Sequence, residues 1–163
     1  MADIDTLVKE IMSGFRPPRK LTLSEWADEN AYLSPESSAE TGKWHCFPYQ
    51  RAIMDAFTDP SVEYIVLMKS ARVGYTKMIN HAIGYFIHQD PCSMMVVQPT
   101  DQDAQDYSKD DIAPMLRDTP CLQGLVSEEK SRKSNNTLRK KLFKGGQLLL
   151  IGANAPTGFR RVT

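Results

Sequence analysis

The sequence predicts an α/β fold, a mostly parallel sheet flanked by helices. Three observations carry this. Short apolar runs, "EYIVLM" at 63–68 and "SMMVVQ" at 93–98, are each followed by a helical period. A compact glycine-containing turn, "KSARVGYT" at 69–76, joins the first run to its helix. A Lys144-Gly145-Gly146 turn separates two further strand-like stretches. Alternation of strand and helix is the pattern of parallel sheets covered by helices.

The elements follow in order. Ile4, Leu7, Val8 and Ile11 have helical spacing, and Gly14 is a natural stop. Pro17 and Pro18 make 15–20 a stiff linker. Residues 1–20 are therefore read as an N-terminal helix plus Pro-rich linker, and 21–163 as the main unit. Thr22 with Glu25 three residues on forms a capping-box pattern for a helix to Asn30. Residues 31–47 lack a period and read as loop. Pro48 opens a helix over 48–57 with Ile53, Met54 and Phe57 on one face. The run 63–68 predicts a buried parallel strand. Residues 76–88 predict a helix, and 93–98 a second buried strand. "TDQDAQDYSKDDIAPMLRD" predicts a capped helix with a break near Pro114. Residues 137–143 and 147–152 predict a hairpin.

Composition narrows the class. At 163 residues, 41% hydrophobic and 25% charged, the chain suits one globular domain or one lobe of a larger one. Zero formal net charge predicts no polyanion partner from overall charge alone. Cys46, Cys92 and Cys121 are scattered and odd in number, which predicts reduced thiols in a cytosolic setting. No apolar stretch approaches the roughly 20 residues that span a bilayer, and no signal peptide is evident, so no membrane role is expected. His81 and His88 lack zinc-pair spacing, and no structural metal is expected.

The turn at 69–76 raises the functional question. A phosphate loop presents backbone N–H groups and a helix N-terminus to an anion. A lysine adds charge, and a Ser/Thr hydroxyl holds Mg²⁺. Here Lys69 stands in place of the first glycine and Tyr75 in place of the lysine. Ser70 and Ala71 are small, Val73 precedes Gly74, Gly74 permits close approach, and Thr76 stands where the magnesium hydroxyl belongs. Lys69 could reach across the turn, and Arg72 adds a second cation. On pattern alone, an ordinary strand-to-helix turn with surface cations fits equally well.

The longer pattern is more specific. "LSEWADENAYLSPESSAETGKW", "PYQRAIMDA", "VLMKSARVGYTK", "VVQPTDQDAQDYSKDDIAPMLRDTP" and "NNTLRKKLFKGGQLLLIGAN" occur in that order. Together they resemble the N-terminal ATPase region of the lambda-type phage terminase large subunit, over roughly residues 21–163. The resemblance implies a P-loop NTPase-type fold and a DNA-packaging motor. Such a motor drives double-stranded DNA into a procapsid with ATP and Mg²⁺, in the host cytoplasm. It implies a terminase small subunit, a portal and further copies of the chain as partners. It also implies a separate endonuclease domain in the full-length protein. The family's deviant Walker A motif carries its lysine at the loop start. By that resemblance Lys69, Gly74 and Thr76 become phosphate and Mg²⁺ contacts, within a loop of Lys69, Ser70, Ala71, Arg72, Val73, Gly74, Tyr75 and Thr76.

Other positions keep two readings. Gln50 matches the glutamine that related helicase-type ATPases use to read adenine, or it is an exposed helix-start glutamine. Tyr49 stacks on adenine or packs half-buried. Arg72 stabilises charge on the transferring phosphate or pairs with a carboxylate. Arg160 and Arg161 sense phosphate, face DNA, or end a solvated loop. Residues 130–144 hold seven cations and no acid, which suits DNA phosphates or a solvated hairpin face. Asp101 and Asp103 fit helix capping better than metal binding. Trp26 and Trp44 read as packing residues.

An apolar strand ending in Asp-Glu, which such ATPases need for Mg²⁺ and for the attacking water, is not found. The sheet is thus expected to be incomplete at its C-terminal side, with apolar edges unpaired. The isolated chain is expected to be marginally stable, aggregation-prone or partner-dependent, and not to turn over ATP. The rival readings are a non-catalytic prophage remnant or subunit-binding module, and another helicase-like nucleic-acid ATPase.

Overall fold

A computed structural model describes residues 19–126 and 138–154. The helix expected at 3–14, most of the linker, part of the basic stretch, and Arg160 and Arg161 lie outside the described residues. The order is α1 (Leu23–Asn30), β1 (Tyr32–Leu33), β2 (Gly42–Lys43), α2 (Pro48–Ala56), α3 (Tyr75–His88), β3 (Met94–Gln98), α4 (Asp101–Tyr107), a π-helical turn (Ser108–Ile112), α5 (Ala113–Asp118), a 3₁₀ turn (Pro120–Leu122), β4 (Lys140–Phe143) and β5 (Gly146–Gly152). This is an α/β arrangement with a mixed sheet. No helix among the described residues is long and apolar enough to cross a membrane.

β5 is the middle strand. It pairs parallel with β3, Met94 opposite Leu148 through Gln98 opposite Gly152. It pairs antiparallel with β4 across the Lys144-Gly145 turn, where Gly145 takes a left-handed φ of 93°. Leu148 and Leu150 of β5 are fully buried. The carboxyl ends of β3 and β5 are tied to the start of α4. Asp101 Oδ1 accepts from the Gly152 N–H at 3.0 Å, and Ala153 N–H donates to the Gln98 carbonyl at 2.8 Å. Gly152 has no room for a Cβ, which would fall 2.2 Å from the Asp101 nitrogen.

A second layer is built from α1, α2 and α3. The capping box closes α1: the Glu25 N–H donates to Thr22 Oγ1, and the Thr22 N–H to Glu25 Oε2 at 3.0 Å. The end of α2 finishes that cap, because Asp55 Oδ1 accepts from the Ser24 N–H at 3.0 Å. Trp26 is buried edge-on against Tyr85, 6.1 Å between centroids, and its indole N–H donates to His88 Nδ1 at 3.0 Å. Gly84 lets the helices meet, since a Cβ there would come 2.8 Å from the Trp26 ring. Trp44 is buried against the His81 ring, 4.5 Å between centroids. Both tryptophans are packing residues.

Three expectations need correction. Residues 63–68 do not form a buried strand. They form no strand and are unpaired among the described residues, with Tyr64 86%, Val66 94% and Met68 99% exposed. Strand β3 exists but is an edge, with Val97 45% exposed. Residues 31–47 are not wholly loop, since β1 and β2 pair antiparallel there. The α-helix does break near Pro114, ending at Tyr107 and resuming at Ala113. The chain widens into the π turn, in which the Ala113 N–H reaches back to the Ser108 carbonyl. Pro114 lacks an N–H and its ring crowds the carbonyl four residues earlier. A wide turn just before it relieves that conflict and lets α5 continue.

Candidate nucleotide site

The turn 69–74 joins the run 63–68 to α3, and its backbone is bent twice. Arg72 has φ 63° and Gly74 φ 78°, both left-handed. Glycine adopts this freely, whereas an arginine there costs about 1 kcal/mol. Gly74 is also the N-cap of α3, which has no side-chain cap and no acidic residue in its first turn. The contrast with α1 and α4 is direct. Those helices are closed by Thr22 with Glu25 and by Thr100 with Asp103. The 14-residue α3 is left open, with its N-terminal dipole facing the turn.

The cations stand beside that end. Lys69 is exposed, and its ammonium lies 5.6 Å from the centroid of the Tyr75 ring. A lysine from the start of the turn thus hovers over the residue that occupies the usual lysine position. Arg72 is exposed too. Neither Lys69 nor Arg72 forms an ion pair with another described residue, so the carboxylate alternative for Arg72 finds no partner there. Ser70, Ala71 and Thr76 are exposed, while Val73, Gly74 and Tyr75 are partly buried. Lys77 turns away. Its ammonium pairs with Asp111 of the π turn at 2.9 Å, which also accepts from Asn80 Nδ2 at 3.2 Å. Tyr107 donates to Asn80 Oδ1 and so joins α4 to α3. Burial, reinforced by Asp111 and Tyr75, pushes the Tyr107 hydroxyl well above its ordinary value and keeps it a donor.

Gln50 is not exposed, contrary to one of its two sequence readings: it is 1% accessible. Its Oε1 accepts from the Phe47 N–H at 3.1 Å, and its Nε2 donates to the Val73 carbonyl at 3.2 Å. Tyr49 also reaches that carbonyl, at 3.3 Å. The Tyr49 ring is 55% exposed and stacks on Phe47 at 5.8 Å. An aromatic pair therefore flanks the turn on the α2 side. Sequence reasoning missed the Val73 carbonyl contact and the Lys77–Asp111–Asn80–Tyr107 chain. Both join residues more than twenty positions apart, beyond the range of any local pattern.

Asp103 caps α4 through Thr100. Asp101 pairs with Arg139 at 3.0 Å as well as closing β5. No group of three or more His, Cys, Asp or Glu among the described residues is placed to hold a metal ion.

A family model described as "Phage terminase large subunit gpA, ATPase domain" matches residues 38–163. The chain is 37% identical over 151 residues to a large terminase subunit of Escherichia phage lambda, covering 92% of this chain and 23% of that protein. It is 37% identical over 129 residues to one from Enterobacteria phage P21, covering 79% of this chain and 20% of that protein. The chain thus spans about a quarter or less of these relatives. No solved structure matches it. Matched over most of its length, the chain belongs to the phage terminase large subunit gpA family, within the ATPase domain.

Proposed function

We propose that residues 69–76 bind the triphosphate of ATP, as the phosphate loop of a P-loop NTPase-type ATPase in a DNA-packaging motor. One observation carries the reading. The uncapped N-terminus of α3 faces a twice-bent turn whose two cations have no carboxylate partner among the described residues. Lys69 supplies charge to the outer phosphates, and the 70–76 backbone cradles them. Arg72 faces the charge that develops on the transferring phosphoryl group. Thr76 would hold Mg²⁺ through its hydroxyl. When bound, that ion neutralises phosphate charge. The Phe47–Tyr49 pair offers the base an aromatic wall, and Gln50 serves the same site. In the longer proteins this unit would drive double-stranded DNA through a portal into a procapsid. It would act there with a small subunit, with other copies of itself, and with an endonuclease domain, in the host cytoplasm.

Equilibrium binding of ATP to the whole chain, with and without Mg²⁺, tests this. Lys69→Ala should weaken binding by about ten- to a hundredfold, the worth of a charge-assisted contact. Thr76→Ala should remove most of the benefit of Mg²⁺. Wild-type affinity retained in both variants would sink the reading.

A further inference from the structure

We propose that Gln50 is a positioning residue that sets the shape of the phosphate loop through the Val73 carbonyl and leaves the nucleotide base unread. This rests on the reading of 69–76 as a triphosphate site.

The amide of Gln50 has little left to offer a base. A glutamine amide carries two N–H donors and one carbonyl. One N–H goes to the Val73 carbonyl at 3.2 Å and the other to the Tyr49 hydroxyl at 3.3 Å. The carbonyl accepts from the Phe47 N–H at 3.1 Å. The two ends have opposite obligatory partners, a backbone N–H and a backbone C=O. That chemistry fixes which end is nitrogen. Tyr49 completes the arrangement by donating its own proton to Val73 at 3.3 Å. Two side chains of α2 therefore hold one carbonyl, in a closed triangle of hydrogen bonds.

The held carbonyl lies between the two left-handed residues, Arg72 and Gly74. Fixing it fixes the direction of the peptide that leads into α3. The fit on the other side is close, since a Cβ at Gly74 would lie 2.9 Å from Gln50 Nε2. Gly74 is thus required twice, by its φ and by the amide against it. Adenine recognition by Gln50 would need its donor and acceptor released from a site where only 1% of the residue is accessible.

The experiment uses the whole chain and the variants Gln50→Ala, Gln50→Glu and Tyr49→Phe. Affinities for ATP and GTP, each with Mg²⁺, are measured beside amide hydrogen exchange across 70–78. Gln50→Ala is expected to weaken ATP and GTP by the same factor, about tenfold, and to speed exchange in the turn. Gln50→Glu keeps the acceptor for Phe47 and sets an oxygen against the Val73 carbonyl. It should stay folded and show the same local loosening, which covers the case in which Gln50→Ala fails to fold. Tyr49→Phe should give a smaller change of the same kind. Loss of ATP binding with GTP unaffected would show a base reader and overturn the proposal. Unaltered exchange in both Gln50 variants would overturn it too. If the wild-type chain binds neither nucleotide, the nucleotide reading fails, and the exchange data alone decide whether Gln50 braces the turn.

Discussion

Residues 63–68 and 93–98 are two six-residue runs of one chain, both apolar and each leading towards a helix. They end differently. Met94–Gln98 exchanges hydrogen bonds with β5 along its length. Residues 63–68 have no strand partner among the described residues, and one face of the run, Tyr64, Val66 and Met68, lies almost wholly in solvent. An apolar run becomes a strand only where another strand offers its backbone groups. What distinguishes the two is therefore β5, not their own composition. The comparison also explains why the turn after 63–68 depends on α2 for support. With no sheet behind it, the Val73 carbonyl is held by Tyr49 and Gln50.

The largest test sets the middle strand against the open run. Leu150 is fully buried, so Leu150→Ala should cost about 3 kcal/mol in urea unfolding. Val66 is 94% exposed, so Val66→Ala should change stability by less than about 0.5 kcal/mol. A large cost at Val66 would mean that the run is covered in solution, and the contrast would collapse. The same exposure predicts a colloidal effect. Val66→Lys with Met68→Lys should raise the concentration at which the chain stays monomeric by light scattering, because charge on an exposed apolar run opposes its pairing with another chain. No gain in solubility would move the sticky surface elsewhere.

Acid should weaken the packed side at His81. Burial, with Lys77 adding to it, pushes the His81 imidazole down from 6.5 to about 3. The folded state then keeps it neutral where the unfolded chain takes up a proton. Its contribution is complete above about pH 6.5 and is lost as pH falls towards 3. Between pH 6.5 and 5, before most carboxylates titrate, the loss should reach at most about 2 kcal/mol. Denaturant midpoints across that interval measure it. His81→Leu should flatten the curve, and an unchanged slope would refute the assignment. A smaller effect belongs to the helix starts. Thr100→Ala removes the hydroxyl that accepts from the Asp103 N–H at 3.1 Å and should cost about 1 kcal/mol.

What the sequence made legible was local. Thr22 with Glu25, the Lys144-Gly145 turn and the start of α3 are decided by residues within a few positions, and the structure places them as read. The turn itself was legible as a turn, through Gly74. The environment of 63–68 was not, because strand pairing is a property of the partner. Nor was the burial of Gln50. Its contact with Val73 spans 23 positions and depends on how α2 packs beside α3. The π turn at Ser108–Ile112 escaped for a related reason: Pro114 marks a conflict in the helix without saying which backbone adjustment resolves it.

A small effect on stability is expected at Arg72, and it separates the turn's shape from its charge. Arg72 is the described non-glycine residue with positive φ. Replacing it by glycine relieves about 1 kcal/mol of left-handed strain and adds a similar amount of freedom to the unfolded chain. The two nearly cancel, so Arg72→Gly should shift the urea midpoint by an amount equivalent to less than about 0.5 kcal/mol. The bend would survive, since glycine accepts the same φ, and Tyr49 and Gln50 would still hold Val73. What disappears is a guanidinium without an acidic partner among the described residues. If that cation serves a phosphate, the variant should lose about tenfold or more in ATP affinity at nearly constant stability. Loss of stability with affinity intact would instead make Arg72 a structural residue and leave Lys69 as the turn's working cation.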